Sequence, residues 1–142
     1  MPAFPRPIFA GGCFWGVEYL LRQVQGVVET RVGYTGGHQP YPSYEAVCSH
    51  TTGHAEAVEI LFDPTVVSFE ALARVFFEIH DSTQLNRQGP DVGDQYRSAV
   101  FYTSSAQKDI TEKLIRELRD KGFTVVTKVE PAGVFWPAEA YH

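Results

Sequence analysis

Nothing in this chain is long and apolar enough to span a bilayer. A membrane helix needs about 20 consecutive apolar residues, and the longest runs here fall far short. Cationic clusters are missing too. Twelve Lys and Arg face 17 Asp and Glu, the formal net charge is −5, and basic residues gather only in pairs such as Lys113/Arg116 and Arg119/Lys121. That leaves no electrostatic footprint for nucleic acid or an anionic membrane, and the mild acidity reads as solubility. Cysteine is scarce: Cys13 and Cys48 are the only two, too few for a disulfide framework. The proline-rich start, Met1 to Pro7, lacks the apolar stretch of a signal peptide. These absences predict a cytoplasmic protein whose cysteines serve packing or chemistry. There is no internal repeat, and 142 residues suit one domain with a real core rather than two.

What is present is an ordinary hydrophobic fraction, 44%, and many aromatics, 13%, some of them in loop-like stretches. Arg6–Ala10 reads as a strand entering a turn at Gly11–Gly12. Phe14, Val17, Leu20 and Leu21 recur at helical spacing, with Gly26 as the stop. Val27–Tyr34 reads as a strand, and the glycines and prolines of Thr35–Pro42 as a loop. Ser43 caps a short helix to Ser49. His54–Phe62 alternates: His54, Glu56, Val58, Ile60 and Phe62 share one side, Ala55, Ala57, Glu59 and Leu61 the other. Ser68–His80 is an amphipathic helix. Asp81–Gln95 is aperiodic, a long loop of the kind that often carries function. Ser98–Tyr102 is a strand, Ser104 and Gln107 form a capping box for a helix to Lys121, and Phe123–Val129 is a last strand. Ala132–His142 is irregular. The expected fold is α+β: a single two-layer domain, helices packed on a mixed β-sheet, with long functional loops.

The chemistry points to Gly11-Gly12-Cys13-Phe14-Trp15-Gly16, between a strand and a helix. The first N–H groups of a helix carry partial positive charge. Charge of that sign favours the thiolate, the nucleophilic form of cysteine. The small residues before Cys13 let other groups approach its sulfur. Read by position alone, this is either a reactive thiol beside an apolar wall or a cysteine packed with two core aromatics.

Gly12-Cys13-Phe14-Trp15-Gly16 resembles the active-site signature of the A-type methionine sulfoxide reductases. Gly33-Tyr34-Thr35-Gly36-Gly37, Tyr44-Glu45-Ala46-Val47-Cys48, Thr52-Gly53-His54-Ala55-Glu56, Gln88-Gly89-Pro90-Asp91, Gln95-Tyr96-Arg97-Ser98 and Phe135-Trp136-Pro137-Ala138-Glu139 resemble later segments of the same family, in order, over almost the whole chain. The resemblance implies thiol-dependent reduction of the S epimer of methionine sulfoxide, free or in proteins, to repair oxidative damage. Cys13 would attack the sulfoxide sulfur and become a sulfenic acid. Glu56 would be the acid, Tyr44 and Tyr96 donors to the sulfoxide oxygen, and Asp91 a substrate-fixing carboxylate. Phe14 and Trp15 would hold the S-methyl group. No bound cofactor is implied; the reductant would be an external thiol, either a thioredoxin-type protein, glutathione with glutaredoxin, or a small dithiol. The enzyme would act as a monomer. The residues sharing Glu56's side of its strand, Val58, Ile60 and Phe62, argue that it is buried and so holds its proton to higher pH. The family often continues into a tail with resolving cysteines; residues 1–142 form the catalytic domain and stop at Tyr141-His142, so the tail is expected to be lacking.

A different class of function remains open on the residues alone. Cys13, Cys48, His38, His50 and His54 could belong to a zinc- or peptide-binding module without turnover, although the spacing is loose and no C-x-x-C occurs. A cysteine hydrolase would need a histidine beside Cys13, and none is marked for it. The loop Gly33–Gly37 lacks the lysine and hydroxyl of a phosphate cradle.

Overall fold

Strand β1 (Ile8–Gly11) is apolar throughout and buried throughout, as a strand must be when it lies in the middle of a covered sheet. The computed structural model describes residues 4–49 and 52–138. On either side of β1 run β3 (Ala55–Phe62) and β6 (Ser98–Tyr102), both antiparallel to it. Strand β2 (Val27–Thr35) pairs outside β3, and β8 (Trp136–Pro137) outside β2, again antiparallel. Among the described strands, the one parallel pair joins β6 to β7 (Lys128–Pro131) across helix α4 (Ser105–Asp120). The six-stranded order is β7-β6-β1-β3-β2-β8, a mixed sheet with helices on it, as expected.

Side chains divide by strand alternation. Phe9, Val58, Ile60 and Val100 face helices α1 (Phe14–Leu21), α3 (Phe69–Ile79) and α4 and make the main core with Leu72, Phe76 and Leu114. Ile8, Ala10, Ala55, Ala57, Ala99 and Phe101 form a second cluster on the opposite face, covered by Ala132 and Phe135. Both faces of β3 are therefore dry. Helix α2 (Tyr44–Cys48) is a short turn in the long β2–β3 connection.

Serine caps open three helices: Ser43 accepts from the Ala46 amide, Ser68 from Ala71 and Ser104 from Gln107. The Gln107 side chain reaches back to the amide and hydroxyl of Thr103, one residue further than a standard capping box.

Some expectations need correction. Helix α1 ends at Leu21 in a tightened turn, Val24 N–H to Leu21 carbonyl, and Gly26 belongs to the bend into β2. Leu20 is exposed, because the buried stripe is Phe14, Val17 and Leu21. Phe123–Thr127 is not paired in the sheet; Val126 instead donates to the Ser82 carbonyl, and the last strand starts at Lys128. Asp81–Gln95 holds a small hairpin, β4 (Arg87–Gln88) with β5 (Asp91–Val92), then a 3-10 turn at Asp94–Tyr96. Residue 139, the last of its motif, and His50, Tyr141 and His142 lie outside the described residues.

Candidate active site

Cys13 stands at the junction of β1 and α1 as the helix N-cap, with extended backbone and an exposed side chain. Gly12 makes this turn possible. Its φ is +101°, and a Cβ there would come within 2.8 Å of the Gln88 side chain. The hairpin β4–β5 is thereby seated directly against the cysteine's turn. Gln88 is itself clamped, accepting from the Asp81 amide at 2.6 Å and donating to the Asp81 carbonyl at 2.9 Å. Asp91 is its cross-strand partner.

Glu56 lies on β3 opposite Tyr34 of β2. Both are buried, Glu56 with 2% of its surface exposed and Tyr34 with none. The Tyr34 ring lies 5.7 Å from that of Phe14, which meets Trp15 edge-on at 5.3 Å. The carboxyl is thus walled by aromatics. Burial pushes its pKa up to about 7, a hydrogen bond from the Phe14 amide at 3.2 Å works the other way, and the charge of Asp91 adds to the rise.

Tyr44 opens α2, and Tyr96 closes the 3-10 turn. Both phenols are pushed up to about 12. For Tyr44 the main cause is a hydrogen bond with the Cys48 side chain; for Tyr96 it is burial, reinforced by the charge of Glu56. Each therefore keeps its proton to donate at neutral pH.

These elements meet at one cavity of about 350 Å³ lined by Cys13, Phe14, Trp15, Tyr44, Glu56, Asp91 and Tyr96. All seven residues that the family resemblance implies for the site line it, whereas Cys48, His38 and His54 of the zinc reading do not. Trp15 is 43% exposed and forms a rim, whereas Phe14 is buried beneath. Its lining combines two apolar rings, Phe14 and Trp15, with the hydroxyl and carboxyl groups of Tyr44, Tyr96, Glu56 and Asp91. Such an arrangement suits a small dipolar group beside an alkyl group, within reach of a thiol.

Among the described residues the competing constellations do not assemble. His54 accepts from the Gly37 amide through Nδ1 and contacts the Gln39 carbonyl through Nε2, so both ring nitrogens are engaged with the loop. His38 is exposed. Among the described residues no group of three or more His, Cys, Asp and Glu side chains comes together as a metal site. His80 lies under the β1 turn, but its nitrogens meet the Phe76 carbonyl and the Ser98 hydroxyl. Sequence reading places His54 among candidate zinc ligands and Gln88 and Arg97 only within family-like motifs; the bonds all three make to backbone groups leave no local pattern.

The comparisons agree with this geometry. The family model for peptide methionine sulfoxide reductase matches residues 6–142. A peptide methionine sulfoxide reductase MsrA of Nautilia profundicola is 52% identical over 97% of this chain and 80% of its own. Mxr1 of Saccharomyces cerevisiae in reduced form superposes with a TM-score of 0.92 at 36% identity, over 99% of this chain and 82% of that one. The same yeast protein in complex with Trx2 gives 0.71 at 26% identity, covering 94% and 80%. A match of this extent around a cysteine-centred cavity identifies the chain as a member of the peptide methionine sulfoxide reductase family, of the MsrA type.

Proposed function

We propose that this enzyme reduces the S epimer of methionine sulfoxide, free or within proteins, and that Cys13 is the nucleophile. The observation that carries this reading is the convergence of one exposed thiol, one buried acid and two phenols on a single cavity. The Cys13 sulfur attacks the sulfoxide sulfur while the sulfoxide oxygen takes a proton. The S–O bond then breaks as that oxygen passes to Cys13. Methionine leaves and Cys13 remains as a sulfenic acid, so the substrate is reduced by two electrons and the cysteine oxidised by two.

Glu56 supplies the proton. Its Oε1 accepts from the Phe14 amide, which leaves Oε2 to carry the acidic hydrogen into the cavity. Tyr44 and Tyr96 donate to the sulfoxide oxygen as negative charge gathers on it. Asp91 helps to fix the substrate backbone. Phe14 and Trp15 receive the S-methyl group. With the methyl group on an apolar wall and the oxygen in a polar corner, only one epimer turns the electrophilic face of its sulfur to Cys13.

An external thiol completes the cycle: two thiols reduce the sulfenic acid to Cys13 thiol and water and leave as a disulfide. A thioredoxin-type protein is the favoured source, by analogy with the yeast Mxr1–Trx2 complex; glutathione with glutaredoxin or a small dithiol would serve chemically. This reading has the enzyme working as a monomer in the cytoplasm, where thiols stay reduced, repairing oxidised proteins. Among the described residues no helix is long and apolar enough to cross a membrane. The test is turnover of each epimer separately with a small dithiol. Reduction of the S epimer with the R epimer nearly ignored is expected; equal rates would refute the proposed wall and corner.

A further inference from the structure

Arg97 follows Tyr96 directly yet does not line the cavity. Its Nη1 donates to the Asp94 carbonyl at 2.9 Å, closing the same 3-10 turn that ends in Tyr96. Its Nη2 donates to the Gly53 carbonyl at 3.0 Å, 44 residues away in sequence and just ahead of the strand that carries Glu56. Gly36 makes room for this: a Cβ there would lie 2.9 Å from Nη2 and from the Phe101 ring, and its φ is +84°. The guanidinium is half-buried among these groups. Burial draws its pKa down, with Asp94 and Glu130 acting against that, and an arginine so placed stays a cation.

A three-residue 3-10 turn has little rigidity of its own. Its internal bonds are Tyr96 N–H to the Gly93 carbonyl and Arg97 N–H to the Asp94 carbonyl. Tyr96 and Glu56 line the same cavity, so placing the Tyr96 hydroxyl there depends on how the turn is tied to β3 from outside. We infer that Arg97 is a positioning residue for sulfoxide reduction, a two-carbonyl staple that sets the Tyr96 hydroxyl against the Glu56 carboxyl; this rests on the proposed roles of those two residues. The fork shape matters, because it reaches two carbonyls in different directions at once. A lysine ammonium is a compact charge on a flexible stem and cannot hold both in that geometry. Loosening the staple misplaces the oxygen's donor while leaving the methyl wall of Phe14 and Trp15 intact. The loss should therefore fall on kcat and spare KM.

The experiment is a double-mutant cycle with Arg97→Lys and Tyr96→Phe, reading single-turnover rate, KM and thermal melting. Arg97→Lys should slow the wild type roughly ten-fold but the Tyr96→Phe enzyme less than about two-fold, with KM nearly unchanged in both. Equal slowing in both backgrounds would overturn the inference and leave Arg97 a general structural residue. A Tyr96→Phe enzyme with the wild-type rate would overturn the role of Tyr96 and the inference together, and that result appears without touching Arg97. If Arg97→Lys fails to fold, Arg97→Gln, which keeps a donor without the charge, carries the same cycle.

Discussion

The backbone amide of Phe14 and the carboxyl of Glu56 are joined by a hydrogen bond of 3.2 Å. That amide belongs to the peptide bond leaving Cys13, so the proposed nucleophile and the proposed acid are held through one rigid plane. The bond also orients the acid, since it takes one carboxyl oxygen and leaves the other to bear the proton. The pH dependence expected under the proposed mechanism rests on this pair.

Glu56 is expected to act in its protonated form. Its pKa of about 7 means that form persists below neutrality and is lost above it. The single-turnover rate should therefore fall as pH rises past about 7. Glu56→Gln keeps the Phe14 bond but has no acidic proton, and should slow the step by roughly ten- to a thousand-fold. The falling limb should vanish with it. A retained limb or a wild-type rate would remove Glu56 from the chemistry.

The same carboxyl costs stability. Its folded pKa lies above the ordinary 4.5, so the folded state binds the proton more tightly than the unfolded one. That advantage is complete below 4.5 and is lost as pH rises to about 7. At about 1.4 kcal/mol per pH unit, the penalty at pH 8 is on the order of 3 kcal/mol. Glu56→Gln should raise Tm at pH 8 clearly more than at pH 5. Equal shifts at both pH values would mean that the buried carboxyl titrates normally.

Cys13→Ser should abolish reduction and leave the fold in place, because the side chain is exposed at the N-cap and packs in no core cluster. Serine has no comparable nucleophilicity at neutral pH. Circular dichroism and an epimer assay check the two halves; substantial turnover by the serine enzyme would end the assignment.

Recycling should depend on an external thiol attacking Cys13 directly. Cys48 is half-buried and engaged with the Tyr44 hydroxyl one helical turn earlier, and a disulfide requires Cα atoms within roughly 7 Å with aligned Cβ vectors. Intact mass after one turnover without reductant should show one oxygen retained on Cys13. A protein two hydrogens lighter, with Cys13 linked to Cys48, would show the opposite.

The cavity was legible in the sequence because its residues sit in short, ordered motifs, and because alternation put Glu56 on the face shared with Val58 and Ile60. The sheet was legible wherever one strand carried its own pattern. Strands β4, β5 and β8 have two residues each, too few for any period, and exist only through their partners. Leu20 misled because an apolar residue at helical spacing need not meet a neighbour. Arg97 and Gln88 stand inside family-like motifs, but their roles could not be read: they bond backbone carbonyls and amides, which every residue has.

The borders of the sheet close on prolines. On one side Ala138 turns its amide inward to the Val32 carbonyl, so Pro137 faces outward, where any other residue would offer a hydrogen-bond donor. On the other, β7 runs Lys-Val-Glu-Pro, with exposed charges and Pro131 at its end. Such edges discourage the addition of foreign strands. Under the proposed function, the substrates include oxidised proteins, whose extended segments could otherwise pair with an open strand. Margins of this kind offer few free amides to such a segment, which is expected to engage through its methionine side chain alone.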